Sequence, residues 1–183
     1  MSHLYPSIPM HKGTFNSGEH AELELLQTLE RGLSDAYSLF HSVDWSRGIG
    51  LQEQHGEIDI VVVNQAGDVL LIEVKSGDVD FTPEGIFKSY GGHKKNITRQ
   101  IGLQYGALKS RLEDCGLHVH LSHLLVLPQL KVKTQTAQWP RERIVDSDDI
   151  GNIVTRISQS LGPGLPNAAN HPRVLAFFEN KFQ

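Results

Sequence analysis

Two apolar runs separated by a short polar turn stand out in the pattern of hydrophobic and polar positions. The runs cover residues 56–64 and 68–76, and both are rich in Val, Ile and Leu. Between them, residues 64–68 read Asn-Gln-Ala-Gly-Asp, which is typical of a turn. Runs that are apolar on both faces are typical of strands buried on both sides beneath helices. The pattern therefore predicts a central β-hairpin.

Helix and strand patterns continue on both sides of this hairpin. Apolar residues spaced three and four apart predict helices, and shorter apolar runs predict strands. The predicted helices cover about residues 17–33, 93–114, 146–161 and 171–182, and the further strands about 36–45, 79–90 (as a hairpin) and 118–128. Glycines predict loops over residues 46–55 and 91–92.

These elements predict one α/β domain with a mixed central sheet flanked by helices. The chain has 183 residues, which is enough to bury a sizeable core. We assign residues 1–16 to an N-terminal arm, residues 17–130 to the core and residues 131–183 to a C-terminal extension. The two helices of the extension would pack on the core or lead to a further module.

Three charged residues, Asp59, Glu73 and Lys75, interrupt the apolar runs. Because side chains alternate along a strand, Glu73 and Lys75 share a face, and hairpin pairing can bring Asp59 close to Glu73. Unpaired buried charges are costly, so these groups must pair with one another or hold a metal ion. Two carboxylates and a backbone carbonyl suit a hard cation such as Mg²⁺. A structural ion pair at the end of a strand is the alternative interpretation.

The spacing of these residues resembles the motif of the PD-(D/E)XK phosphodiesterase superfamily. More narrowly, GEIDIVVVN and GDVLLIEVKSG are similar to the nuclease-related domain, called NERD, and the resemblance covers about residues 15–130. It implies a restriction-endonuclease-like αβββαβ core and metal-dependent cleavage of nucleic acid. The domain is often joined to helicase or kinase modules in that family.

The resemblance also implies roles for the charged residues. Asp59 and Glu73 would hold Mg²⁺ or Mn²⁺ directly, with the Val74 carbonyl as a third ligand. Lys75 would position or activate the attacking water. Together these residues are the candidate catalytic centre.

Glu22 lies on the apolar stripe of the first predicted helix, together with Leu25 and Leu29, where a carboxylate is unexpected. In the NERD resemblance it corresponds to a helix carboxylate that helps to hold the metal or its water. Ala21 stands where the family often has glycine, which is a mild departure.

Gln100 follows Asn96 by one helical turn. Many members of the family carry Asn-Pro-x-x-Gln here, with the glutamine facing the metal site, whereas this chain has Ile97 in place of proline. Gln100 is therefore a candidate orienter of water or phosphate, and a surface amide is the alternative. Tyr105 falls on the apolar stripe of the same helix and is predicted to be a core residue.

The net charge of −4 argues against nucleic-acid binding, but the distribution of charge argues for it. Residues 85–112 contain no Asp or Glu, whereas residues 1–84 hold 14 of the 21 acids. A local basic patch decides phosphate affinity. The candidate nucleic-acid-binding residues are Lys88, Lys94, Lys95 and Arg99. A solvated basic helix face is the alternative.

Composition excludes several classes of protein. Cys115 is the single cysteine, so no intrachain disulfide can form, which fits a reducing cytosol and a cytoplasmic location. No apolar run approaches the roughly 20 residues of a membrane span. The N-terminal residues lack the apolar stretch of a secretory signal.

The sequence thus predicts a metal-dependent nuclease that acts on DNA, as a module beside a helicase or another module in repair or defence. A catalytically silent nucleic-acid-binding or protein-interaction module with the same fold is the first alternative. A structural ion-pair network with no nucleic-acid role is the second. The presence of Asp59, Glu73 and Lys75 together favours catalysis.

Overall fold

The computed structural model describes residues 1–6, 16–49, 52–133 and 139–179, with the side chains of 46–49 and 52–55 left aside. The strands are β1 (His3–Tyr5), β2 (Tyr37–Ile49), β3 (Gln52–Asn64), β4 (Val69–Val74), β5 (Asp80–Thr82), β6 (Gly85–Tyr90), β7 (His93–Asn96), β8 (Leu121–Val126) and β9 (Ile144–Val145). The helices are α1 (Ser17–Gly32), α2 (Ile97–Asp114), α3 (Ile153–Ser160) and α4 (His171–Glu179).

The main sheet is mixed and has six strands in the order β1-β2-β3-β4-β8-β9. Strands β2, β3 and β4 pair antiparallel, whereas β8 runs parallel to β4. The chain passes from β4 to β8 through α2, as a parallel pair requires a crossover. The order α1, β2, β3, β4, α2, β8 is the predicted αβββαβ core, which is confirmed.

The central hairpin is also confirmed. Strands β3 and β4 pair from Val63↔Val69 to Ile60↔Ile72. Their turn is held by the Asn64 side chain, whose oxygen accepts hydrogen bonds from the backbone N–H groups of Ala66 and Asp68 at 3.0 and 2.9 Å. An Asn at the end of a strand thereby builds the turn that its side-chain chemistry predicts.

Each face of the hairpin belongs to a different core. Leu70, Ile72 and Val74 pack in the cluster that α1 and α3 cover. Val69 and Leu71 pack in the cluster that α2 and α4 cover. The helices therefore cover both faces of β4, and the alternation predicted for this strand is correct.

The loop predicted over residues 46–55 is wrong for residues 46–49 and 52–55, and residues 50 and 51 lie outside the described residues. Strands β2 and β3 continue as a paired ribbon as far as Ile49↔Gln52. Backbone ladder bonds hold this extension, and they do not need the apolar side chains on which a strand prediction rests.

The predicted start of the long helix is also wrong. Gly91 and Gly92 have φ of 51° and 89° and form a two-residue turn between β6 and β7. Such turns need positive φ at both positions, which glycine adopts without strain. Helix α2 therefore begins at Ile97, with Asn96 as its N-cap, and Lys94 and Lys95 lie on a strand. The hairpin predicted around residues 82–85 is correct, and β5, β6 and β7 form a second sheet.

The ends of the described chain pack on this core. Strand β1 pairs parallel with β2, and the Ser2 N–H donates to the Glu30 carbonyl at 3.2 Å. Near the other end, α3 begins only at Ile153, because Asp146 instead accepts hydrogen bonds from the Val132 and Asp148 N–H groups. No described helix combines the length and apolar character that crossing a membrane requires.

Candidate active site

Asp59 lies at a kink in the sheet. The pairing of β2 with β3 passes from His41↔Ile60 to Val43↔Ile58 and skips Ser42 and Asp59. Ser42 has φ of 54°, a left-handed conformation that is uncommon for residues other than glycine. Ile58 and Ile60, two residues apart, consequently pack in different clusters. The kink frees Asp59 to cross to β4, where its carboxylate accepts the Val74 N–H at 2.6 Å.

Glu73 is buried on β4, with 3% of its surface exposed, and both of its oxygens accept hydrogen bonds. The Oε1 atom accepts from Lys75 Nζ and from Gln100 Nε2, the latter at 2.7 Å. The Oε2 atom accepts from Gln104 Nε2 at 3.1 Å. Strand β4 thus supplies the acid and its lysine, and α2 supplies two amides that orient the acid.

Lys75 is buried beside these acids, with 8% of its surface exposed, and forms an ion pair with Glu73. Burial lowers the pKa of Lys75, but the negative charges of Glu73 and Asp59 outweigh it, so the pKa lies above its ordinary value. The ammonium is therefore charged at neutral pH.

The acids around Lys75 outnumber the positive charge. Burial raises the pKa of Asp59 well above its usual range, and Glu73 raises it further. Burial on α1 raises the pKa of Glu22 to about 7, against the opposing charge of Lys75, and Glu57 and Glu73 add to the rise. Three carboxyl groups thus surround one ammonium group. A bound cation would relieve the repulsion between the carboxylates.

The donors at this site fit a hard divalent cation in chemical type, because Asp59, Glu73 and Glu22 all offer carboxylate oxygens. Gln100 Oε1 is buried beside them and accepts no hydrogen bond from any described residue. However, nowhere in the described part of the chain do three His, Cys, Asp or Glu side chains converge closely enough to hold a metal ion. Glu73 is turned toward Lys75 and the amides instead.

A cleft of about 840 Å³ opens over these residues. Its lining includes Asp59, Glu73, Lys75, Lys94, Lys95, Arg99 and Gln100. The lining therefore combines acidic and basic side chains, which suit a metal ion and a phosphate. A second cavity, of about 650 Å³, lies between α1 and residues 150–153, around Val74.

The structure brings most of the predicted residues together. Asp59, Val74, Glu73, Lys75 and Gln100 are joined by the hydrogen bonds given above, and Glu22 lies within electrostatic reach of Lys75. Lys88 stands apart from the cleft lining, because its Nζ donates to the Ser76 carbonyl.

Gln104 was not predicted. It is 2% exposed, and its amide nitrogen donates both to Glu73 and to the Glu57 carbonyl, at 3.1 and 3.0 Å. A signal existed in the sequence, since Gln104 follows Gln100 by four residues and lies on the same face of α2.

The comparison with protein families agrees with the motif. The profile of the nuclease-related domain, NERD, matches residues 17–128, which is more than half of the chain. A solved structure, that of protein VC1899 from Vibrio cholerae, is similar at 16% identity with a TM-score of 0.39. The match covers 81% of this chain and 33% of that one, so the chain spans about a third of its length. No curated protein sequence matches significantly.

Proposed function

Because the chain belongs to the nuclease-related domain (NERD) family, we propose that it is a divalent-metal-dependent nuclease that hydrolyses phosphodiester bonds in DNA. One observation carries the proposal: Asp59, Glu73 and Lys75 line one cleft together with the basic residues Lys94, Lys95 and Arg99. Residues buried for stability alone would not need three carboxyl groups around one ammonium.

In this proposal Asp59 and Glu73 would hold Mg²⁺ or Mn²⁺, with the Val74 carbonyl and Glu22 assisting. The cation, when bound, would acidify a water molecule and stabilise negative charge on the phosphoryl group. Gln104 and Gln100 would keep the Glu73 carboxylate in place.

Lys75 would position the attacking water and neutralise charge that develops on the phosphate, since its raised pKa keeps it protonated. The unpaired Gln100 Oε1 can accept a hydrogen bond from the same water. Lys94, Lys95 and Arg99 would hold the phosphates that flank the scissile bond. Their charge offsets the acidity of the rest of the chain.

Cleavage of labelled DNA in Mg²⁺, in Mn²⁺ and in EDTA tests this function. We expect metal-dependent cutting by the wild type and a loss of at least about 100-fold in Glu73→Ala and Lys75→Ala. Glu113→Ala, an exposed acid at the end of α2, is the control and should cut normally. Cutting that persists in EDTA, or in both site variants, would contradict the proposal.

A second candidate function is a nucleic-acid-binding or protein-interaction module that does not cut. It is favoured by the state of Glu73, whose oxygens are satisfied by Lys75, Gln100 and Gln104 without a metal. Salt-dependent DNA binding by a folded wild type, with no cleavage in either metal, would support this candidate instead.

The setting of the nuclease belongs to the same proposal. We place the protein in the cytoplasm, acting on DNA beside a helicase or another module in cis or in trans. Co-purification of cleavage activity with such a partner, and stimulation of cleavage when the partner is added, would test this setting.

A further inference from the structure

The second sheet projects beside the cleft. Strands β6 and β7 are joined by the Gly91-Gly92 turn, and a Cβ atom on either glycine would meet nothing within 4 Å. The other end of this hairpin is anchored, because Ile86 is fully buried in the core. The hairpin therefore runs from the core outward into open space.

One face of this hairpin combines positive charge with an aromatic ring. The register pairs Lys88 with Lys95 and Tyr90 with His93. Because side chains alternate along strands, these four residues share the face of Ile86. This face, which we call the hairpin face (Lys88, Tyr90, His93, Lys95), continues from the core to the cleft, where Lys95 forms part of the lining.

The positive charge of the hairpin face is uncompensated. Like charges directly opposite on paired strands are destabilising, and Lys88 and Lys95 are such a pair. Among the described residues, an ion pair joins Lys94 to Asp80 at 3.6 Å, but none joins Lys88 or Lys95 to a carboxylate. Burial lowers the pKa of Lys88, and the charge of Lys75 lowers it further. An anion would relieve this repulsion.

Tyr90 supplies the ring. Among the described Phe, Tyr and Trp residues it is the one that is exposed, with 44% of its surface accessible. Lys88 Nζ lies 5.1 Å from the centre of the Tyr90 ring and donates to the carbonyl of Ser76, the residue after Lys75. A short chain of contacts thus links the exposed ring to the candidate catalytic lysine.

We propose that Tyr90, with Lys88 and Lys95, stacks a base of single-stranded DNA beside the cleft, so that the protein prefers unpaired strands to intact duplex. This rests on the proposed function and names its substrate class. Aromatic side chains stack on bases that are free of a helix, and such stacking tolerates any sequence. Lysines alone would bind the phosphates of duplex as well, so the exposed ring decides the preference.

The test is fluorescence anisotropy of a labelled oligonucleotide, single-stranded or annealed to its complement, in EDTA so that no cutting occurs. We expect tighter binding of the single strand, and Tyr90→Ala should weaken it by roughly 5- to 100-fold with little change for duplex. Tyr90→Phe keeps the ring and should bind normally. Lys109→Ala, an exposed lysine further along α2, is the control for charge.

Equal binding of single strand and duplex by the wild type would overturn this inference, as would normal single-strand binding by Tyr90→Ala. Because binding is measured without metal, it is separate from cleavage. A wild type that shows Tyr90-dependent single-strand binding but never cuts would contradict the proposed nuclease and support the stacking surface. A wild type that cuts DNA but binds duplex and single strand equally would contradict the stacking surface alone.

Discussion

At the scale of one residue, Glu73 shows how nearby partners offset the free-energy cost of burying a charge. A carboxylate that is 3% exposed would be very costly without partners. Here Lys75 from the same strand and two glutamines from α2 donate to it. The two amides come from residues 27 and 31 positions away along the chain, so only the folded structure brings them to this acid.

Gln104→Leu removes one of these donors while keeping a similar volume. We expect the turnover number to fall by about 10- to 100-fold, because Glu73 loses an orienting partner. The concentration of Mg²⁺ at half-maximal rate should rise, whereas KM for DNA should stay nearly constant. A purely structural role would change stability without changing the metal dependence.

Steady-state cleavage across a Mg²⁺ titration, with thermal unfolding in parallel, measures both effects. Gln159→Leu makes the same chemical change at an exposed position of α3 and serves as the control. An unchanged Mg²⁺ dependence in Gln104→Leu would show that Gln104 does not position Glu73.

His123 predicts a pH dependence of stability. Its ring packs between Tyr105 and Trp139, at centroid distances of 5.7 and 4.8 Å. Burial, together with the smaller effect of the Arg143 charge, lowers the pKa of His123 from 6.5 to about 4. The His123 ring thus becomes protonated below about pH 6.5 in the unfolded chain, but only below about pH 4 in the folded chain. Stability contributed by the neutral ring is therefore present above that window and lost as pH falls through it.

We expect His123→Phe to lose less stability than the wild type between pH 6.5 and 4. The difference should be on the order of 2 kcal/mol after allowance for solvent screening. Urea unfolding at a series of pH values measures it. His118→Phe, at an exposed position, should follow the wild type, and equal slopes for all three proteins would rule out His123 as the cause.

At the scale of elements, the hairpin before α2 changes which residues can meet the substrate. A helix from residue 93 would have placed Lys95 and Arg99 one turn apart on one helix face. The Gly-Gly turn instead puts Lys94 and Lys95 on β7 and leaves Arg99 in the first turn of α2. The basic part of the cleft lining is thus built from two elements.

Helix α1 packs closely on α3 at Gly32, and this contact can be tested by mutation. A Cβ atom on Gly32 would lie 2.5 Å from Val154 Cγ2, which is too close for two carbon atoms. Valine is stiff in a helix and cannot turn away easily. We expect Gly32→Ala to lower the free energy of unfolding by about 1–2 kcal/mol, despite the better helix propensity of alanine.

The double variant Gly32→Ala/Val154→Ala separates the clash from other effects. Since the second change removes the methyl group that is struck, adding Gly32→Ala to Val154→Ala should be neutral or stabilising. Urea denaturation of the four proteins gives the coupling energy. Additive effects would mean that the two helices do not meet as the structure shows.

At the scale of the whole molecule, the C-terminal helices complete the two cores. Helix α3 contributes Ile153 and Ile157 to the core beneath α1, and α4 contributes Val174 and Phe178 to the core beneath α2. The boundary near residue 130 stays a prediction, and the helices that follow it pack on the core. Both faces of the central sheet depend on these helices for cover.

Phe178→Ala tests this dependence. Phe178 is fully buried, with its ring 5.4 Å from that of Phe40 on β2. We expect a loss of about 3–5 kcal/mol in the free energy of unfolding, because the cavity lies inside the core. Leu165→Ala, at a residue that is 85% exposed, is the control and should change stability by less than about 0.5 kcal/mol. A similar small change for Phe178→Ala would show that α4 is dispensable.

The sequence by itself determined the central hairpin, the αβββαβ order, the family and the shared strand face of Glu73 and Lys75. These follow from alternation, turn chemistry and a short motif, which are all local properties of the chain. The confirmed strands β3 and β4 are those that carry the two long apolar runs, which are buried on both faces.

Only the tertiary structure decided how the site is completed. The kink at Ser42 and Asp59, the contact of Gln104 with Glu73 and the contact of Lys88 with the Ser76 carbonyl each join separate parts of the chain. Local sequence patterns do not predict such contacts, because the two partners lie far apart in sequence and meet only in the folded chain. Burying a charge in a folded core costs free energy unless a partner group is close, so this cost decides which polar groups must pair. Local sequence patterns do not contain this information, because the cost depends on the folded structure.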